Sequence, residues 1–450
     1  MDQASGPLAP EIAALYALRR GEVRLGLAST RRLLRRLGSP ERDIPILHIG
    51  GTNGKGSTTA FAAAMLQAGG MRVGRYTSPH VLHVEERICV DGEPIPAGDL
   101  HARVRELWPE FKRCGASFFE AMTALAALHF HDAKVDVAVY EVGLGGRLDS
   151  TNALPASASI VTSIGHDHEA ILGRGLRNVC REKLGIVRRS VPFFGGFTRP
   201  DLVRMAHEHC AARRAPCTML PETVGRARAL DAHSGMEFEL HVPEPMVLRS
   251  RLLGAHQIRN AALAVAGVGA LAARGVLRRR PDPVAGAAQA FLPGRFQLLP
   301  PDALSPAIVL DVGHNPEALH TTLDTWEQVF PGVRPIVVLG LMRDKRLDDA
   351  GIRLSQRARV LILTTPTVER AWDAARAQAQ FPSGRGRARV LVVPGVAAAV
   401  QRALIEAGDA PVLVLGSHYL LADVIPILAA ARGVSAETLL RTGLGEPVSA

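Results

Sequence analysis

The sequence predicts an α/β protein in which a doubly wound, mostly parallel sheet is followed by a second, smaller parallel-sheet domain. Three observations carry this prediction. Short apolar runs end in glycine or polar residues, helical stretches separate them, and the alternation restarts after the Pro- and Gly-dense segment FLPGRFQLLP. The 450 residues are enough for two or three domains with buried cores. We expect the domains to span residues 1–295 and 296–450.

The first domain alternates strands and helices. The first forty residues are predicted to be helical, because ALYALRR and RRLLRRLG carry apolar residues at helix spacing. The run IPILHIG is typical of a buried strand, and GTNGKGSTTAFAAAMLQAGG of a glycine-rich turn followed by a helix that ends near Gly69. A second helix is predicted over FFEAMTALAALHFHDA. Further strands are predicted at RVGRYTSPH, VDVAVYEVGLGG and ASIVTSIGHDH.

The pattern then changes twice. MEFELHV and PMVLRSRLL alternate like antiparallel strands at a sheet edge, and a buried helix follows from about Gln257. The longest apolar stretch, residues 261–273, is too short for a membrane span, which needs roughly 20 residues. In the second domain, buried strands are predicted at PAIVLDVGHNP, PIVVLGLM, VLILTTP, VLVVPG and PVLVLGSHYL.

The composition excludes several classes of protein. A hydrophobic fraction of 47% excludes a disordered chain, and the 43 glycines show no collagen period. The five cysteines have no metal-binding spacing, which favours free thiols in a reducing compartment. MDQASGPLAPEIAAL lacks the pattern of a signal peptide, so we expect a cytoplasmic protein. The net charge is +10, but the arginines are not interleaved with aromatic residues, so we expect no nucleic acid partner. We also expect no membrane partner, and we expect a monomer, although the sequence does not fix the oligomeric state.

Lysine is rare in this chain. Of the 53 basic residues, 48 are arginine, and the lysines are Lys55, Lys112, Lys134, Lys183 and Lys345. A position that keeps lysine where arginine serves elsewhere is a candidate for a role that needs a primary amine or a compact ammonium.

The segment GGTNGKGSTT, between a predicted strand and a predicted helix, indicates a phosphate-binding loop. Glycines let backbone N–H groups point at phosphate oxygens, and the helix N-terminus adds positive potential. Lys55 can reach the outer phosphates, and a hydroxyl of Ser57 or Thr58 can bind Mg²⁺. Gly56 separates the lysine from the hydroxyl, so the loop is a variant of the P-loop pattern. An ordinary glycine-rich turn is the alternative.

Polar residues at two other strand ends are candidate metal ligands. Glu141 ends an apolar strand, where a carboxylate is costly to bury unless it binds a cation or a donor, and SIGHDH ends another. These side chains could hold Mg²⁺ near the phosphate loop, although a histidine ligand is unusual for this ion. Satisfied core residues are the alternative. For Lys183, within REKLGIV, the alternative is a simple salt bridge.

Taken together, these motifs resemble the folylpolyglutamate synthase/dihydrofolate synthase family of the Mur ligase superfamily, which are ATP-dependent amide ligases. The resemblance runs from about Leu27 to about Ile425 and is carried by HIGGTNGKGST, YTSPHVLHVEERI, FFEAMTALA, EVGLGGRLDSTN, SIGHDHEAILG, REKLGIV, LGAHQIRNA, PGRFQ, DVGHNP, DK and GSHYL. It implies a P-loop ATPase-like first domain and a Rossmann-like second domain. The sequence departs from the family pattern at HIGG, SIGHDH, LDSTN, DVGHNP and DKR, and none of these changes removes an implied ligand.

The resemblance also implies roles for individual residues. ATP would be bound by the loop and by three residues beyond it: Gly51, Thr52, Asn53, Gly54, Lys55, Gly56, Ser57, Thr58, Asn260, Arg295 and Asp311. Mg²⁺ would be held by Ser57, Ser78, Glu141 and His168, with a possible second divalent or monovalent cation. The catalytic residues would be Lys55, His314 and Lys183, the last carbamylated by CO₂, which requires a primary amine.

The substrates implied by the resemblance are ATP, L-glutamate, dihydropteroate and tetrahydrofolate with its derivatives. Phe119, Asp149 and Ser150 would line the pterin pocket, and His314 with Ser417 would lie near the incoming glutamate. A ring can stack on a pterin, and a carboxylate can accept paired N–H donors from it. We therefore expect both dihydrofolate synthase and folylpolyglutamate synthase activity. The alternatives are one of these activities alone, a Mur-type ligase for another acid and amine, and a non-enzymatic nucleotide-binding protein.

Overall fold

The computed structural model describes residues 9–18, 26–231, 234–242, 244–302, 305–381 and 384–442. The helices are α1 Pro10–Ala17, α2 Ala28–Arg36, α3 Lys55–Ala68, α4 Ala97–Cys114, α5 Phe118–Asp132, α6 Glu169–Leu172, α7 Leu176–Leu184, α8 Pro200–Ala212, α9 His256–Ala273, α10 Pro283–Gln289, α11 Pro316–Val329, α12 Asp348–Arg357, α13 Ala374–Ala377, α14 Val396–Ala407, α15 His418–Arg432 and α16 Ala436–Arg441. Short 3₁₀ helices cover Val84–Arg87, Ser150–Ala153 and Gln378–Gln380.

The strands are β1 Ile46–Gly50, β2 Val73–Tyr76, β3 Ile88–Val90, β4 Glu93–Pro94, β5 Val137–Glu141, β6 Ala158–Val161, β7 Phe193–Gly195, β8 Cys217–Met219, β9 Gly225–Asp231, β10 Gly235–Leu240, β11 Met246–Ser250, β12 Gln297–Leu299, β13 Ile308–Asp311, β14 Ile336–Leu339, β15 Val360–Leu363, β16 Arg389–Val392 and β17 Val412–Leu415. This is the mixed α/β architecture that the sequence predicts.

The first sheet has eight strands in the order β4-β3-β2-β5-β1-β6-β7-β8. The six strands from β2 to β8 are parallel, and β3 and β4 add an antiparallel edge. The central strand β1 is buried along its whole length, which its continuous apolar sequence predicts. Because the strands are parallel, the loops after β1, β2, β5 and β6 emerge at one edge of the sheet. The four candidate magnesium ligands, Ser57, Ser78, Glu141 and His168, follow these strands or, for Glu141, end one of them.

A separate three-stranded antiparallel sheet, β11-β10-β9, lies beside α9. The sequence predicts β10 and β11 but not β9. The residues of β9 are mostly exposed, so its sequence does not alternate between apolar and polar residues as that of a half-buried strand does. These strands form their own sheet rather than an edge of the large one. The buried helix expected from about Gln257 is α9.

The second large sheet has six strands in the order β12-β13-β17-β14-β15-β16, all parallel except β12. The prediction that VLVVPG is a buried strand was wrong. This segment forms β16, which is partly exposed because it is the outer strand of the sheet and has a neighbour on one side only. The strands β13, β14, β15 and β17 are fully buried, as predicted.

The two halves of the molecule share one apolar core. A continuous cluster runs from α3 and α9 through the three-stranded sheet to β12 and β13 and on into the second sheet. The chain changes sheets between α10 and β12, which is where FLPGRFQLLP lies, and the division at residue 295 stays a prediction. All five cysteines are free thiols, as expected. No helix within the described ranges is long and apolar enough to cross a membrane.

Part of the first-domain prediction lies outside the described residues. The two predicted N-terminal helices are present as α1 and α2, but residues 1–8 and 19–25 are not described.

Candidate active site

The loop between β1 and α3 has a backbone that only glycine adopts at two positions. Gly51 has φ 142° and Gly54 has φ 85°. A Cβ at Gly51 would lie 1.9 Å from Thr162 Oγ1, at the end of β6. The same strand end fixes the loop, because Asn53 N donates to Ser163 Oγ at 2.9 Å and Thr162 Oγ1 donates to Asn53 O at 2.7 Å. The loop therefore has a fixed shape before any ligand binds.

Two of the rare lysines meet at this loop. Lys55 Nζ donates to Gly51 O at 3.1 Å and to Thr52 O at 3.0 Å, and Lys183 Nζ donates to Gly51 O at 2.7 Å. Burial lowers the pKa of both amines. Burial, with the charge of Lys55 as the next cause, lowers the pKa of Lys183 to about 7. Lys183 is thus a buried amine that can lose its proton near neutral pH.

The structure explains why glycine follows the lysine in this variant loop. A Cβ at Gly56 would lie 2.8 Å from Leu292 Cδ2, and 3.7 Å from both Arg295 Nη2 and Glu141 Oε2. The first helical turn of α3 is therefore in close contact with the segment that leads into the second sheet. Arg295 and Glu141 therefore both lie beside the first turn of α3, next to the phosphate loop.

The residues around Glu141 fit a magnesium ion carried by a nucleotide. Glu141 is 4% exposed, and its Oε2 accepts a hydrogen bond from Ser78 N at 3.2 Å. Burial raises its pKa. Ser57 is buried in the first turn of α3, and the Thr58 hydroxyl, also buried, has no hydrogen-bond partner. In the described parts of the chain, no three His, Cys, Asp or Glu side chains form a cluster for a metal ion. A single carboxylate with hydroxyls suits Mg²⁺, which keeps waters and phosphate oxygens as its other ligands.

His168 lies on the other side of the loop, with φ 54° at the start of α6. Its Nε2 is 3.7 Å from Asp167 Oδ2. That His168 and Glu141 hold one ion together stays a prediction. Burial lowers the pKa of His168 to about 4. The ring is therefore neutral at physiological pH and has a nitrogen lone pair available for a cation.

The second domain completes the site through the segment DVGHNP. Asn315 Nδ2 donates to Asn53 Oδ1 at 3.0 Å, and Asn53 Nδ2 donates to Glu317 Oε2 at 2.9 Å. His314 Nε2 lies 3.6 Å from Asp167 Oδ2. The phosphate loop thus touches both domains directly.

Three further candidate residues, Asn260, Asp311 and Ser417, have the following positions. Asn260, at the start of α9, lies against the loop, since a Cβ at Gly54 would be 2.4 Å from Asn260 Oδ1. Asp311 accepts hydrogen bonds from Phe296 N, Gly313 N and Thr322 Oγ1, and so anchors the turn after Arg295.

Ser417 begins α15 as its N-cap, and its hydroxyl donates to Gly340 O at 3.2 Å. The shared role of Ser417 and His314 near the incoming glutamate stays a prediction.

The candidate pterin residues lie together around Gly143. A Cβ there would be 3.2 Å from Asp149 Oδ2, 3.6 Å from Ser78 Oγ and 3.9 Å from Phe119 Cδ1. Phe119 is 43% exposed, and Ser150 Oγ donates to Phe119 O at 3.3 Å. Asp149 accepts hydrogen bonds from Leu144 N and Thr151 N, and burial raises its pKa. An exposed ring and a fixed carboxyl group therefore flank one cleft beside Ser78.

Sequence reasoning missed several residues that the structure places at the site. The first pair is Asp167 and Lys345, which form an ion pair across the two domains. The signal was available, because Lys345 is one of five lysines and Asp167 stands inside SIGHDH. A third is Arg87, which is buried with its guanidinium 5.2 Å from the centre of the Phe118 ring and 5.9 Å from that of Phe119. Nothing in the local pattern marks an arginine among 48 as buried.

The matches to known families agree with this arrangement. Residues 49–268 match the Mur ligase middle domain, and residues 294–418 match the Mur ligase, glutamate ligase domain. The fold and the site define a Mur ligase, an ATP-dependent ligase built from a phosphate-loop domain and a second α/β domain.

Relatives narrow this class further. The chain is 34% identical over 333 residues to the dihydrofolate synthase/folylpolyglutamate synthase of Bacillus subtilis (strain 168), covering 72% of this chain and 77% of the relative. It is 32% identical over 437 residues to the protein of the same name from Escherichia coli (strain K12), covering 96% and 97%. The chain belongs to the dihydrofolate synthase/folylpolyglutamate synthase family.

Solved structures of relatives have the same fold. The Mycobacterium tuberculosis folylpolyglutamate synthase complexed with ADP and AMPPCP aligns with a TM-score of 0.82 at 29% identity, over 93% of this chain and 98% of that chain. The E. coli FolC structure, in complex with DHPP and ADP, aligns with a TM-score of 0.80 at 27% identity, over 95% and 100%. The Yersinia pestis bifunctional enzyme, complexed with AMPPNP and Mn ion, also aligns at 0.80 and 27% identity, over 95% and 99%.

Proposed function

We propose that this protein is an ATP-dependent ligase that adds L-glutamate to dihydropteroate, giving dihydrofolate, and to tetrahydrofolates, giving folylpolyglutamates. The observation that carries the proposal is the meeting of Lys55, Lys183, Glu141 and Arg295 at one phosphate loop, closed by the second domain. Family membership and the named ligands of the relatives point to the same reaction.

The reaction begins when the carboxylate of the folate substrate attacks the γ-phosphorus of ATP, and ADP leaves. Negative charge develops on the transferring phosphoryl group, and Lys55 and Arg295 are positioned to stabilise it. Asn53 forms hydrogen bonds with Asn315 and Glu317, and these bonds fix the position of the loop relative to the second domain. The product of this step is an acyl phosphate.

The loop, Glu141 and the hydroxyls of Ser57 and Ser78 would hold Mg²⁺, with His168 as a further ligand. When bound, the ion supplies charge neutralisation between the phosphates. The relatives crystallised with ATP analogues, one of them with a manganese ion, support this part of the proposal.

Lys183 is the residue that we propose to be carbamylated. The ammonium first loses one proton to give the neutral amine. The amine nitrogen then adds to the carbon of CO₂ and loses a second proton, so that the side chain becomes an anionic carbamate. The low pKa of Lys183 supplies the neutral amine, and the adjacent Lys55 would stabilise the new negative charge. Arginine cannot form this group, which accounts for the retained lysine.

In the second half of the reaction, the amine of L-glutamate attacks the acyl carbon and phosphate leaves with the two electrons of the broken C–O bond. The amine loses one proton as the amide forms. We assign L-glutamate to the second domain, near His314 and Ser417. Enclosing the acyl phosphate between the two domains protects it from water.

Two acceptor acids are proposed because the cleft at Gly143 has pterin-binding features. Phe119 offers an exposed ring for stacking, and Asp149 a carboxyl group for paired N–H donors. The bifunctional relatives support the assignment.

The test is ADP release with Mg-ATP and L-glutamate, with dihydropteroate and tetrahydrofolate supplied in separate reactions. Release with both acids supports the bifunctional assignment, and release with one alone names the single activity. If a folded protein that binds ATP is silent with both, the ligase acts on another acid or is not a ligase, and the proposal is wrong.

A further inference from the structure

His48 lies inside the strand that leads into the phosphate loop, and the proposed function does not use it. It is the third residue of β1 and stands three positions before Gly51. Side chains alternate along a strand, so His48 points to the same face of β1 as Ile46. Leu47 and Ile49 point to the opposite face and join the core with α3 and α9. His48 is 1% exposed, so its ring needs hydrogen-bond partners within the protein.

Two consecutive hydrogen bonds join His48 to the candidate pterin carboxylate. His48 Nε2 lies 2.8 Å from Thr151 Oγ1, and Thr151 Oγ1 donates to Asp149 Oδ1 at 2.5 Å. Thr151, like His48, is buried, so solvent does not compete for these bonds. They connect β1 with the loop that follows β5, although His48 and Thr151 stand 103 positions apart in the chain.

The chemistry of the three groups fixes the direction of both hydrogen bonds. A carboxylate can only accept, so the single hydroxyl hydrogen of Thr151 is directed at Asp149. The Thr151 oxygen therefore accepts from His48, whose Nε2 carries the ring hydrogen. Burial lowers the pKa of His48 to about 3, with the charge of Arg188 as the next cause, so the ring is neutral and its Nδ1 carries no hydrogen. Among the residues that the structure describes, Nδ1 has no hydrogen-bond partner, which agrees with an unprotonated nitrogen.

These bonds hold the carboxylate of Asp149 in one orientation. Its Oδ1 accepts from Thr151 Oγ1 and, at 3.0 Å, from Thr151 N, whereas its Oδ2 accepts from Leu144 N at 2.8 Å. Oδ2 also faces the cleft, since a Cβ at Gly143 would lie 3.2 Å from it. The hydroxyl bond depends on His48, because a hydroxyl that accepts from an N–H is fixed in direction and becomes a stronger donor.

We propose that His48 is a positioning residue for the acceptor acid, and that through the Thr151 hydroxyl it orients the Asp149 carboxylate that receives the pterin ring. This proposal deepens the proposed function and rests on it. Because β1 also leads into the phosphate loop, the same bonds fix the pterin end of the substrate relative to the ATP phosphates. This separation matters because the carboxylate of the acid must reach the γ-phosphorus while its ring stays bound.

Two pairs of variants separate the hydrogen bonds from the packing around them. His48→Gln can place an amide N–H where Nε2 lies, whereas the shorter side chain of His48→Asn cannot reach Thr151. Thr151→Ser keeps the hydroxyl, whereas Thr151→Val has nearly the same shape and lacks it. We expect the Kd for dihydropteroate, measured with an ATP analogue present, to rise about fivefold in His48→Asn and in Thr151→Val, since each loses one buried hydrogen bond. His48→Gln and Thr151→Ser should stay close to wild type.

The choice of ligand and a double variant test the route of the effect. The Kd for the ATP analogue should not change, and kcat/KM should fall less with tetrahydrofolate than with dihydropteroate, as we expect for Asp149 itself. His48→Asn/Thr151→Val should bind dihydropteroate no more weakly than Thr151→Val alone, because His48 acts through that hydroxyl. Additive losses, equal losses in both members of a pair, or an unchanged Kd for dihydropteroate in His48→Asn would each contradict the proposal.

A measurement without any acceptor acid separates this proposal from the proposed function. Thr151 N and Leu144 N donate to Asp149, so hydrogen exchange in residues 142–152, read by mass spectrometry, reports on its carboxylate. We expect faster exchange in His48→Asn and Thr151→Val than in His48→Gln and Thr151→Ser, with no change in α3. Equal exchange in all four variants would overturn the proposal even if the wild type used both acids. If the wild type used neither acid but exchange followed the expected order, the proposed function alone would fail.

Discussion

Lys345 Nζ donates a hydrogen bond to Asp167 Oδ1 at 2.7 Å, although the two residues stand 178 positions apart in the chain. Asp167 follows β6 in the first sheet, and Lys345 follows β14 in the second. Both side chains are nearly buried, at 12% and 10% exposed. A hydrogen bond with His314 and the charges of His168 and Lys345 lower the pKa of Asp167 far below its usual range despite its burial. The pair therefore joins the two domains at the point where the amide would form.

Breaking this pair should impair amide formation more than nucleotide binding. Removing one partner of a buried charged hydrogen bond costs about 2 kcal/mol or more, so we expect Lys345→Met to lower kcat/KM for L-glutamate at least tenfold. The Kd for ATP should change little, because Lys345 Nζ pairs with Asp167 and Asp344 rather than with the phosphate loop. A double-mutant cycle with Asp167→Asn checks the mechanism: a coupling energy near zero would show that the two residues do not act through each other.

The low pKa of Lys183 predicts a pH-dependent free energy of unfolding. In the native state this amine loses its proton near pH 7, whereas in the unfolded chain it keeps the proton up to about 10.5. Between these values the unfolded state binds more protons, so the stability must rise with pH. The Lys183→Met variant lacks this contribution. In CO₂-free buffer, where Lys183 is a free amine, we expect the stability of the wild type, relative to this variant, to increase between pH 7 and pH 10 in urea titrations; a constant difference would contradict the assigned pKa.

Carbamylation of Lys183 should be visible directly. With ¹³C-labelled bicarbonate, we expect a carbamate signal in the ¹³C NMR spectrum that is lost when CO₂ is removed and is absent in Lys183→Arg. The activity should fall with CO₂ depletion in the wild type. Lys112→Arg, which changes an exposed lysine, is the control and should keep both the signal and the activity. A wild type that is fully active without CO₂ would refute the proposal.

Glu141 should be required for divalent-cation affinity rather than for folding. Glu141→Gln keeps an oxygen that can accept from Ser78 N but removes the negative charge. We therefore expect Mn²⁺ binding in the presence of an ATP analogue, measured by electron paramagnetic resonance, to weaken about tenfold or more. Glu239→Gln, in the three-stranded sheet, serves as the control for loss of one carboxylate. Unchanged Mn²⁺ affinity in Glu141→Gln would exclude Glu141 as a ligand.

Asp149 should distinguish the two acceptor acids. Asp149→Asn retains one oxygen, which can still accept from Thr151 N as Oδ1 does, but it loses the acceptor for Leu144 N at Oδ2, whereas glycine would remove both contacts. The amide cannot accept paired donors from a pterin. We expect kcat/KM for dihydropteroate to fall about tenfold more than that for tetrahydrofolate. An equal loss with both acids would mean that Asp149 acts on the loop alone.

The fold class and the phosphate loop could be predicted from the sequence because both are encoded locally. The apolar runs that became β1, β13, β14, β15 and β17 are buried on both faces, and a strand of this kind needs no information from distant residues to be recognised. The same holds for Gly51 and Gly54, whose φ values follow from the tight turn into a helix. The edge strand β16 and the exposed strand β9 show where this reasoning ends, because the burial of a strand depends on its neighbours.

The sequence by itself therefore determined the architecture, the family and the set of candidate residues, since periodicity, glycine turns and scarce lysines are properties of short segments. Only the tertiary structure decided which of these residues meet. The ion pair of Asp167 with Lys345 and the close approach of Gly56 to Arg295 each join segments that are distant in the chain. Such contacts are set by how the two sheets and their helices pack, and packing depends on the shapes of all the buried side chains together rather than on any one motif.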